Sequence, residues 1–282
     1  MPSELSIIVN HCRTPELLRN CLESVKTNVR QIDYELIVAD SFTQGQTAVL
    51  VKKIIPEAVY LPFFKNVGFG RSVNEAVKKS SGEYLLILNA DTALRDKNAV
   101  SSMIDCLRAD PAIGLLGPRL VNSDGSVQES AFRFYDISAL VCRRTVLGKT
   151  AFGKKILARF TLKDVLTPAN IAKGRPVSVG WLMGSVLLAR RSAVAKVGLL
   201  DERFFMYFED VDWARRFWES GFKVAYFPAA SVFHLHLRAS RKSRGIFSLF
   251  LNRYARIHLS SAVKYLLKYA FRKPPISIRV CP

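Results

Sequence analysis

In the segment 204–212, three carboxylate residues follow a run of aromatic residues in the sequence; they are Glu209, Asp210 and Asp212. Charged groups beside so much apolar surface are costly to bury unless the charge has a function, so this segment is a candidate catalytic site. A carboxylate accepts the proton of an attacking hydroxyl if the two groups lie within hydrogen-bond reach, while its neighbour holds substrate. The alternative is an ordinary helix N-terminus, where acids are favoured by the helix dipole.

A further carboxylate follows a predicted buried strand, residues 84–88, which runs into Asn89 and Asp91. Mg²⁺ and Mn²⁺ need only one or two protein carboxylates when phosphate and water supply the other ligands. Asp91 therefore indicates a metal site that would help a diphosphate to leave, and a turn aspartate that caps the next helix is the alternative. An imidazole also suits Mn²⁺, so we expect one of His234 and His236 to face such a metal.

Strand-like and helix-like segments alternate through the first half of the chain, which predicts an α/β fold with a mostly parallel, doubly wound sheet. The predicted strands cover residues 5–10, 34–40, 59–64 and 83–88. In such sheets ligands bind outside the carboxyl ends of the strands. Asn10, Asp40 and residues 89–91 all fall at these ends, so we expect them to meet at one edge of the sheet.

Residues 66–71 form a glycine-containing turn before a predicted helix. Their backbone amides and the side chain of Arg71 could bind phosphates at the N-terminus of this helix. The segment matches neither GxGxxG nor a Walker loop, so the signal is weak.

The second half of the chain is less regular. Residues 133–175 show no clear period, 177–190 indicate a core strand or strand pair, 210–221 a helix and 223–227 a strand. Residues 246–271 indicate one or two basic amphipathic helices. Their apolar stripes are Ile246, Phe250, Tyr254 and Ile257, then Val263, Leu266 and Ala270. We predict a catalytic domain at 1–237 and a basic helical extension at 238–282.

The composition fits one sizeable core, or a core with an appended subdomain, because 49% of the 282 residues are hydrophobic. Five scattered cysteines without a CxxC pair argue against a disulfide framework and favour a reducing cytoplasm. Residues 5–9 already indicate a core strand rather than a signal peptide, and no apolar run approaches the roughly 20 residues of a membrane span.

The formal charge of +19 is unevenly placed, because no Asp or Glu follows Glu219. Such asymmetry indicates a polyanionic partner: nucleic acid, an anionic membrane surface or a phosphorylated substrate. A solvated basic face is the ordinary alternative. A nucleic-acid-binding protein would explain the charge but not the acids at the strand ends, so no nucleic-acid partner is expected.

Taken in order, these segments resemble the inverting family 2 glycosyltransferases, in particular the rhamnosyltransferase-like branch that builds bacterial surface polysaccharides. The resemblance runs from about Leu5 to about His258, and it is the ordered combination that is specific. The matching stretches are 5–10, 36–40, 66–70 with Asn74, 84–91, 117–120, 124–126 with Gln128, 184–185, 190–191, 201–205, 207–212 and His234.

The resemblance implies a GT-A fold, a nucleotide-sugar donor and roles for particular residues. Asp210 is then the general base, Asp91 ligates Mg²⁺ or Mn²⁺ and His234 joins it. Asp40 contacts the nucleotide base. The other residues assigned to the donor are Asn10, Asn66, Gly68, Arg71, Asn74 and Asn89, and those assigned to the acceptor are Trp181, Gly184 and Glu209.

Three segments depart from the usual family pattern, and all lie where the nucleotide would bind. His11-Cys12 replaces Tyr-Asn, Ser41-Phe42-Thr43 follows Asp40 in place of Asn-Ala-Ser, and Asn89 stands where a first acid is usual. They bear on the identity of the donor more than on the reaction. The Gln-x-x-Arg-Trp motif of processive synthases is missing, so transfer of one sugar per encounter is expected.

The sequence thus predicts an inverting transferase that moves rhamnose or a related hexose from a dTDP- or UDP-sugar to a hydroxyl of a lipid-linked or saccharide acceptor. The basic C-terminal helix is expected to bind an anionic membrane surface. We therefore expect a cytoplasmic protein that associates with the inner face of the plasma membrane. A sugar nucleotidyltransferase and an inactive, polyanion-binding relative of the transferases are the alternatives.

Overall fold

The structure is a computed structural model, and it describes residues 3–43, 45–235, 252–269, 272–276 and 278. The strands are β1 (Leu5–Cys12), β2 (Tyr34–Ser41), β3 (Val59–Phe63), β4 (Tyr84–Asn89), β5 (Thr92–Leu94), β6 (Ile113–Val121), β7 (Ala131–Phe132), β8 (Val177–Ser178), β9 (Trp181–Leu182), β10 (Val186–Arg190) and β11 (Lys223–His234). The helices are α1 (Pro15–Asn28), α2 (Gly45–Ile54), α3 (Phe69–Lys78), α4 (Ala99–Ala109), α5 (Ile137–Arg144), α6 (Ala151–Phe160), α7 (Pro168–Ala172), α8 (Arg191–Val197), α9 (Glu209–Glu219) and α10 (Arg253–Tyr269), with a 3₁₀ turn at Val146–Lys149.

A nine-stranded sheet in the order β3-β2-β1-β4-β10-β6-β11-β5, with β8 beside β11, forms the centre of the molecule. Strands β1 to β4 are parallel to one another, and so are β6 and β11, while β10 runs antiparallel between β4 and β6. The predicted α/β fold with a mostly parallel sheet is therefore confirmed. The strand order reverses at β1, and Asn10 lies opposite Asn89 there, at the kind of edge where such sheets bind ligands.

Successive side chains of β1 point to opposite faces of the sheet and supply two apolar layers. Leu5, Ile7 and Val9 are fully buried in the layer that α1 and α4 cover. Ile8 is buried in the other layer, with residues of α3, α9 and α10. Burial on both faces explains why the strand appears in the sequence as a continuous apolar run.

Strand β11 is longer than the sequence predicts, because it continues past Phe227 to His234. A proline lies at position 228, and the pairing with β6 shifts register between Phe227 and Ser231 before it resumes. A bulge of this kind accommodates the proline and re-aims the strand. The extension places His234 opposite Thr92 of β5, one residue from Asp91.

The segment 133–175, for which the sequence predicts no period, contains three short helices and a 3₁₀ turn. Asp136, Thr150 and Thr167 cap the three helices by accepting hydrogen bonds from backbone N–H groups. Helices of ten residues or fewer complete too few turns for a clear apolar period, so local capping was the stronger signal.

Helix α10 packs on the layer formed by α9, although part of its predicted apolar stripe faces solvent. Ala262, Tyr265 and Tyr269 are buried in the same core as α9, whereas Val263 is 46% exposed. The apolar pattern alone did not indicate which side of α10 packs on the protein. Ile246, Phe250 and Ala270 lie outside the described residues, and the division into domains after residue 237 stays a prediction.

Asp212 joins α10 to α9 through a buried hydrogen-bond network. Its fully buried carboxylate accepts from Lys268 Nζ at 2.5 Å, Tyr269 OH at 2.7 Å and Arg216 Nε at 2.9 Å. Lys268 also contacts Asp201 at 2.8 Å. Asp212 therefore serves to hold α10 in place.

Replacing Asp212 by alanine is expected to lower the free energy of unfolding by about 3–5 kcal/mol, because two cations and a buried hydroxyl lose a fully buried acceptor. Denaturant titration measures the change. The matched control is Asp105→Ala, which removes an exposed carboxylate paired with Arg108 at 3.2 Å and is expected to cost about 0.5 kcal/mol or less. Equal, small losses in both variants would contradict the structural role of the network.

Candidate active site

A cleft of about 480 Å³ opens at the carboxyl ends of β1, β2 and β4. Its lining in the described part of the chain consists of Asn10, Cys12, Ser41, Asn66, Gly68, Phe69, Asn89, Asp91, Tyr135, Arg143, Trp181, Met183, Gly184, Ser185, Met206, Tyr207, Phe208, Glu209, Asp210, Val211, His234 and His258. Most of the residues that the sequence selects thus meet in one place. The exceptions among the described residues are Asp40, Arg71, Asn74 and Asp212, whose carboxylate joins α9 to α10 instead of entering the cleft.

Asn10 and Asn89 form the floor of the cleft where the strand order reverses. Asn10 Nδ2 donates to Asn89 Oδ1 at 3.4 Å, and Ser72 Oγ on α3 donates to Asn10 Oδ1 at 2.6 Å. The Asn89 backbone N–H donates to the carbonyl of Ser185 at 2.9 Å. These bonds fix the two side-chain amides, so the floor is polar and pre-arranged for hydrogen bonding.

Asp91 and His234 form a pair whose chemistry suits a divalent cation. Asp91 Oδ2 lies 3.5 Å from His234 Nε2, and the other oxygen, Oδ1, is buried without a hydrogen-bond partner among the described residues. A buried carboxylate oxygen without a donor is costly, and a cation removes that cost. His236, the second predicted histidine, lies outside the described residues.

Gln128 fixes the orientation of the His234 ring. Its Nε2 donates to the Asn122 side chain at 2.6 Å and to the His234 carbonyl at 2.8 Å, so its Oε1 must face His234 Nδ1, 2.8 Å away. Nδ1 therefore carries a proton, and Nε2 faces Asp91 and Ser185 Oγ, the latter at a distance of 3.2 Å. Hydrogen bonding of the second ring nitrogen is the usual way in which a metal-binding histidine is oriented.

The residues present fit Mg²⁺ or Mn²⁺. The described chain contains no cluster of three or more His, Cys, Asp or Glu side chains placed for a metal. One carboxylate and one imidazole are few ligands for a structural metal but enough for a cation that takes its other ligands from a diphosphate and water.

The two residues before α9 aim its acidic N-terminus into the cleft. Tyr207 and Phe208 have φ angles of 67° and 69°, a left-handed conformation that costs about 1–3 kcal/mol when the residue is not glycine. The Phe208 ring is held among Tyr135, His258 and Tyr265, with centroids 5.0, 5.2 and 5.5 Å away. This packing stabilises the turn from which Glu209 and Asp210 project.

The environment of Asp210 suits a general base. Burial raises the pKa of Asp210 to about 6, although the backbone N–H groups of Gly184 and Val211 donate to its two oxygens and favour the ionised form. The distances are 3.0 Å to Oδ2 and 2.9 Å to Oδ1. A base with a pKa just below neutrality is mostly ionised at pH 7 and still binds a proton well.

Glu209 differs from its neighbour although it lines the same cleft. Burial raises the pKa of Glu209 well above its ordinary value, and the charge of Asp210 raises it further. The side chain is 7% exposed, and Oε2 has no hydrogen-bond partner within the described chain. Because their environments differ, the two adjacent carboxyls suit different roles: Asp210 that of proton acceptor and Glu209 that of hydrogen-bond donor.

Gly68 brings the turn at 66–70 against the aromatic segment. Its φ is 84°, and a Cβ atom there would lie 2.5 Å from the backbone oxygen of Phe205. The Gly68 N–H donates to Asn66 Oδ1 at 2.9 Å, and the Phe69 N–H donates to the Phe205 carbonyl at 3.3 Å. Only glycine permits this close approach, which forms one wall of the cleft.

Asp40 lies beneath the cleft rather than on its surface. The carboxylate is fully buried; it accepts from His11 Nδ1 at 2.6 Å and from Tyr60 OH at 2.5 Å. Thr14 N–H donates to His11 Nε2 at 3.0 Å, so Nδ1 is the protonated nitrogen. Burial raises the pKa of Asp40, but the hydrogen bonds from His11 and Tyr60 outweigh it and hold the pKa below its ordinary value. The base contact predicted for Asp40 stays a prediction.

Asn74 and Arg71 also lie away from the cleft lining. The Asn74 amide is buried and exchanges hydrogen bonds with the backbone of Leu200 at 2.8 and 2.9 Å. It therefore ties α3 to the segment that leads to the aromatic run. Arg71 is exposed on α3. Their predicted contacts with the donor stay predictions.

An aromatic cluster forms the wall on which Trp181 lies. Trp181 stacks on Phe132 at 4.4 Å, and its Nε1–H donates to the Arg133 carbonyl at 2.9 Å. Tyr135 lies 5.7 Å from the same indole, nearly parallel to it. Flat aromatic surfaces beside a carboxylate suit the apolar face of a sugar ring.

Several lining residues were not selected from the sequence as site residues, among them Tyr135, Arg143, Met206 and His258. Arg143 belongs to a basic stretch without a period, and His258 to a helix that the sequence predicts as a separate extension. Neither the basic stretch nor the amphipathic helix indicates a cleft in the sequence, because the positions of Arg143 and His258 depend on how distant segments pack together.

Comparison with known proteins identifies relatives of this chain. The family model described as "Glycosyl transferase family 2" matches residues 6–166. The N-acetylglucosaminyl-diphospho-decaprenol L-rhamnosyltransferase of Mycobacterium tuberculosis is 31% identical over 236 residues, which cover 75% of this chain and 73% of that protein. Rhamnosyltransferase WbbL of Escherichia coli is 25% identical over 274 residues, which cover 93% of this chain and 92% of that protein.

A solved structure, of GalNAc-T7 with UDP, GalNAc and Mn²⁺, has a similar fold. It superposes with a TM-score of 0.62 and 15% sequence identity over 83% of this chain. The present chain covers 44% of the length of that protein chain. The likeness supports the GT-A fold.

Proposed function

The chain belongs to glycosyl transferase family 2, and from this premise we propose that it transfers one sugar, rhamnose or a related hexose, with inversion of configuration. The donor is a dTDP- or UDP-sugar, and the acceptor is a hydroxyl of a lipid-linked or saccharide substrate in cell-surface polysaccharide assembly. The observation that carries the proposal is that Asp210, placed as a base, shares one cleft with the Asp91 and His234 pair. The rhamnosyltransferase relatives support the choice of sugar.

The reaction needs one proton transfer and one displacement at carbon. Asp210 takes the proton of the acceptor hydroxyl as the oxygen of that hydroxyl attacks the anomeric carbon. The bond from that carbon to the diphosphate oxygen breaks, and the nucleoside diphosphate leaves on the opposite side. Glu209, whose raised pKa favours the neutral form, donates a hydrogen bond to the acceptor.

The donor is held by the polar end of the sheet. Asn10, Asn66, Asn89 and the backbone near Gly68 contact the nucleotide sugar. Asp91 and His234 would hold a divalent cation, which when bound would supply positive charge against the leaving diphosphate. The pyrimidine base lies toward the side of the cleft that Cys12 and Ser41 line, near the buried Asp40.

A donor screen tests the proposal. Purified protein with Mn²⁺ and a lipid-linked acceptor is incubated with UDP-, dTDP- and GDP-sugars, and nucleoside diphosphate is measured. We expect release from one donor that depends on the acceptor. Release of pyrophosphate would identify a nucleotidyltransferase instead, and failure of every nucleotide to bind would favour an inactive polyanion-binding protein.

We also propose that α10 rests on an anionic membrane. No helix among the described residues is long and apolar enough to cross a bilayer. Leu259, Val263 and Leu267, 49%, 46% and 74% exposed, form a stripe on the face of α10 turned away from the core, and Arg256 and Lys264 flank it. Exposed apolar residues bordered by cations, on a segment without acids, fit an anionic lipid surface.

The substitution Leu267→Glu is expected to weaken binding to vesicles that contain anionic lipid about tenfold, because it replaces an inserted apolar side chain by a repelled carboxylate. Co-sedimentation with phosphatidylserine-containing vesicles measures the change. Val49→Glu, at a 68% exposed valine of α2, makes the same change in charge and is expected to bind like the unmodified protein. Equal binding by both variants would contradict the assignment.

A further inference from the structure

Arg143 is the one arginine or lysine that lines the cleft in the described part of the chain. The proposed reaction assigns it no role, since the metal pair and the asparagines face the donor. A cation that opens into a substrate cleft and is left unused by the chemistry is a candidate for binding an anionic part of a substrate.

The guanidinium of Arg143 is held by an aromatic cluster. It lies 5.5 Å from the ring centroid of Phe132, 5.3 Å from Phe160 and 5.7 Å from Tyr135. One of its nitrogens, Nη1, donates to Tyr135 OH. A guanidinium has five N–H donors, so most remain for a ligand. Contacts of this kind orient the group without neutralising it.

Arg143 lies on the acceptor side of the cleft. It projects from α5 onto the rings that surround Trp181, whereas the donor residues come from the ends of β1 and β4 and from the turn after β3. Its positive charge also lowers the pKa of Asp210 against the effect of burial. Its charge therefore reaches the base, although the residue itself is exposed at the mouth of the cleft.

We propose that Arg143 binds a phosphate group of the acceptor and so selects an acceptor sugar that is linked to its carrier through phosphate. The proposal rests on the proposed function, because it assumes an acceptor in the cleft. An acceptor that presents a hydroxyl to Asp210 lies along the aromatic wall, and its carrier leaves by the mouth where Arg143 stands. A guanidinium fork pairs with two phosphate oxygens at once.

The alternative occupant is the donor diphosphate. It is disfavoured because Asp91 and His234, which suit the cation that accompanies a diphosphate, come from β4 and β11 rather than from the aromatic wall. The two occupants differ in which Michaelis constant depends on Arg143, so kinetics separate them.

The test compares two acceptors: N-acetylglucosamine linked through diphosphate to a short polyprenol, and an uncharged alkyl glycoside of the same sugar. Arg143→Ala is expected to raise the acceptor KM roughly 10- to 100-fold with the diphosphate-linked acceptor. The acceptor KM with the glycoside, the donor KM and kcat should stay within about twofold. Arg143→Lys keeps the charge but loses the fork. With the diphosphate-linked acceptor, its KM is expected to lie between those of the unmodified protein and Arg143→Ala.

Lys154→Ala is the matched control, because it removes one exposed cation from α6, outside the cleft lining; it should leave all constants unchanged. An equal loss with both acceptors, or a raised donor KM, would overturn the inference and leave the proposed function standing. Unmodified enzyme that transfers sugar to neither acceptor would overturn the proposed function, and the inference with it.

Discussion

Replacing Asp210 by asparagine is expected to lower kcat roughly 10²- to 10⁴-fold, the usual contribution of a positioned general base. The amide keeps the size of the side chain and can accept the hydrogen bond that Gly184 N–H now donates to Oδ2. It cannot take the proton of the acceptor hydroxyl. Initial rates of nucleoside diphosphate release measure the loss, and calorimetry should show that the donor still binds.

Glu209→Gln is the matched control for this substitution. Glu209 is adjacent to Asp210 and lines the same cleft, but its raised pKa favours the neutral form, which glutamine imitates. We expect kcat to fall by about fivefold or less, the equivalent of one altered hydrogen bond. If Glu209→Gln were as inactive as Asp210→Asn, the assignment of the base to Asp210 alone would be wrong.

The same base predicts a pH dependence. Because burial raises the pKa of Asp210 to about 6, the ionised form needed for catalysis is present above pH 6 and is lost as the pH falls through that value. We therefore expect kcat/KM to decline on the acid side with an apparent pKa of about 6. The residual activity of Asp210→Asn should lack this decline.

The second large effect is expected at Asp91. Asp91→Ala should lower kcat/KM on the order of 10²- to 10³-fold, because the cation that stabilises the leaving diphosphate loses its carboxylate ligand. Titration of Mn²⁺ in the presence of nucleoside diphosphate should show weakened metal binding in parallel. Asp124→Ala, in an exposed turn outside the cleft lining, controls for the loss of one carboxylate and should leave metal binding unchanged.

Removal of the metal provides the independent test of the same site. Treatment with a chelator is expected to lower the activity of the unmodified protein to about the level of Asp91→Ala, and added Mn²⁺ or Mg²⁺ should restore it. The chelator should have little further effect on the variant. Full activity of the unmodified protein in excess chelator would show that Asp91 and His234 serve another purpose.

The sequence predicted the parts of the site that depend on strand ends and on local order. Asn10, Asn89 and Asp91 follow buried strands of a parallel sheet, and the topology of such a sheet requires their carboxyl ends to meet. Asp210 was found because acids directly follow an aromatic run. These features need no knowledge of distant contacts.

The rest depended on long-range packing. Strand β11 extends to His234 because a register shift accommodates a proline within the strand. His258 lines the cleft because α10 packs on α9. Arg143 lies in a segment of short, locally capped helices with no apolar period. Pattern and propensity carry little information about such arrangements.

Asp40 shows how a departure from the family pattern alters a local environment. His11 stands where the family usually has tyrosine, and its ring donates to Asp40 from a backbone position beside it in the sheet. With Tyr60 on the other oxygen, the carboxylate is enclosed. The sequence identified the departure but not this burial, which requires the side chains of three strands in register.

The configuration of the transferred sugar tests the central claim most directly. In the proposed reaction one base, Asp210, faces the acceptor, and transfer occurs by a single displacement. The product formed from a nucleoside-diphosphate sugar of known anomeric configuration should therefore show the opposite configuration by NMR, together with one nucleoside diphosphate per sugar transferred. A product that retains the configuration of the donor would contradict the account.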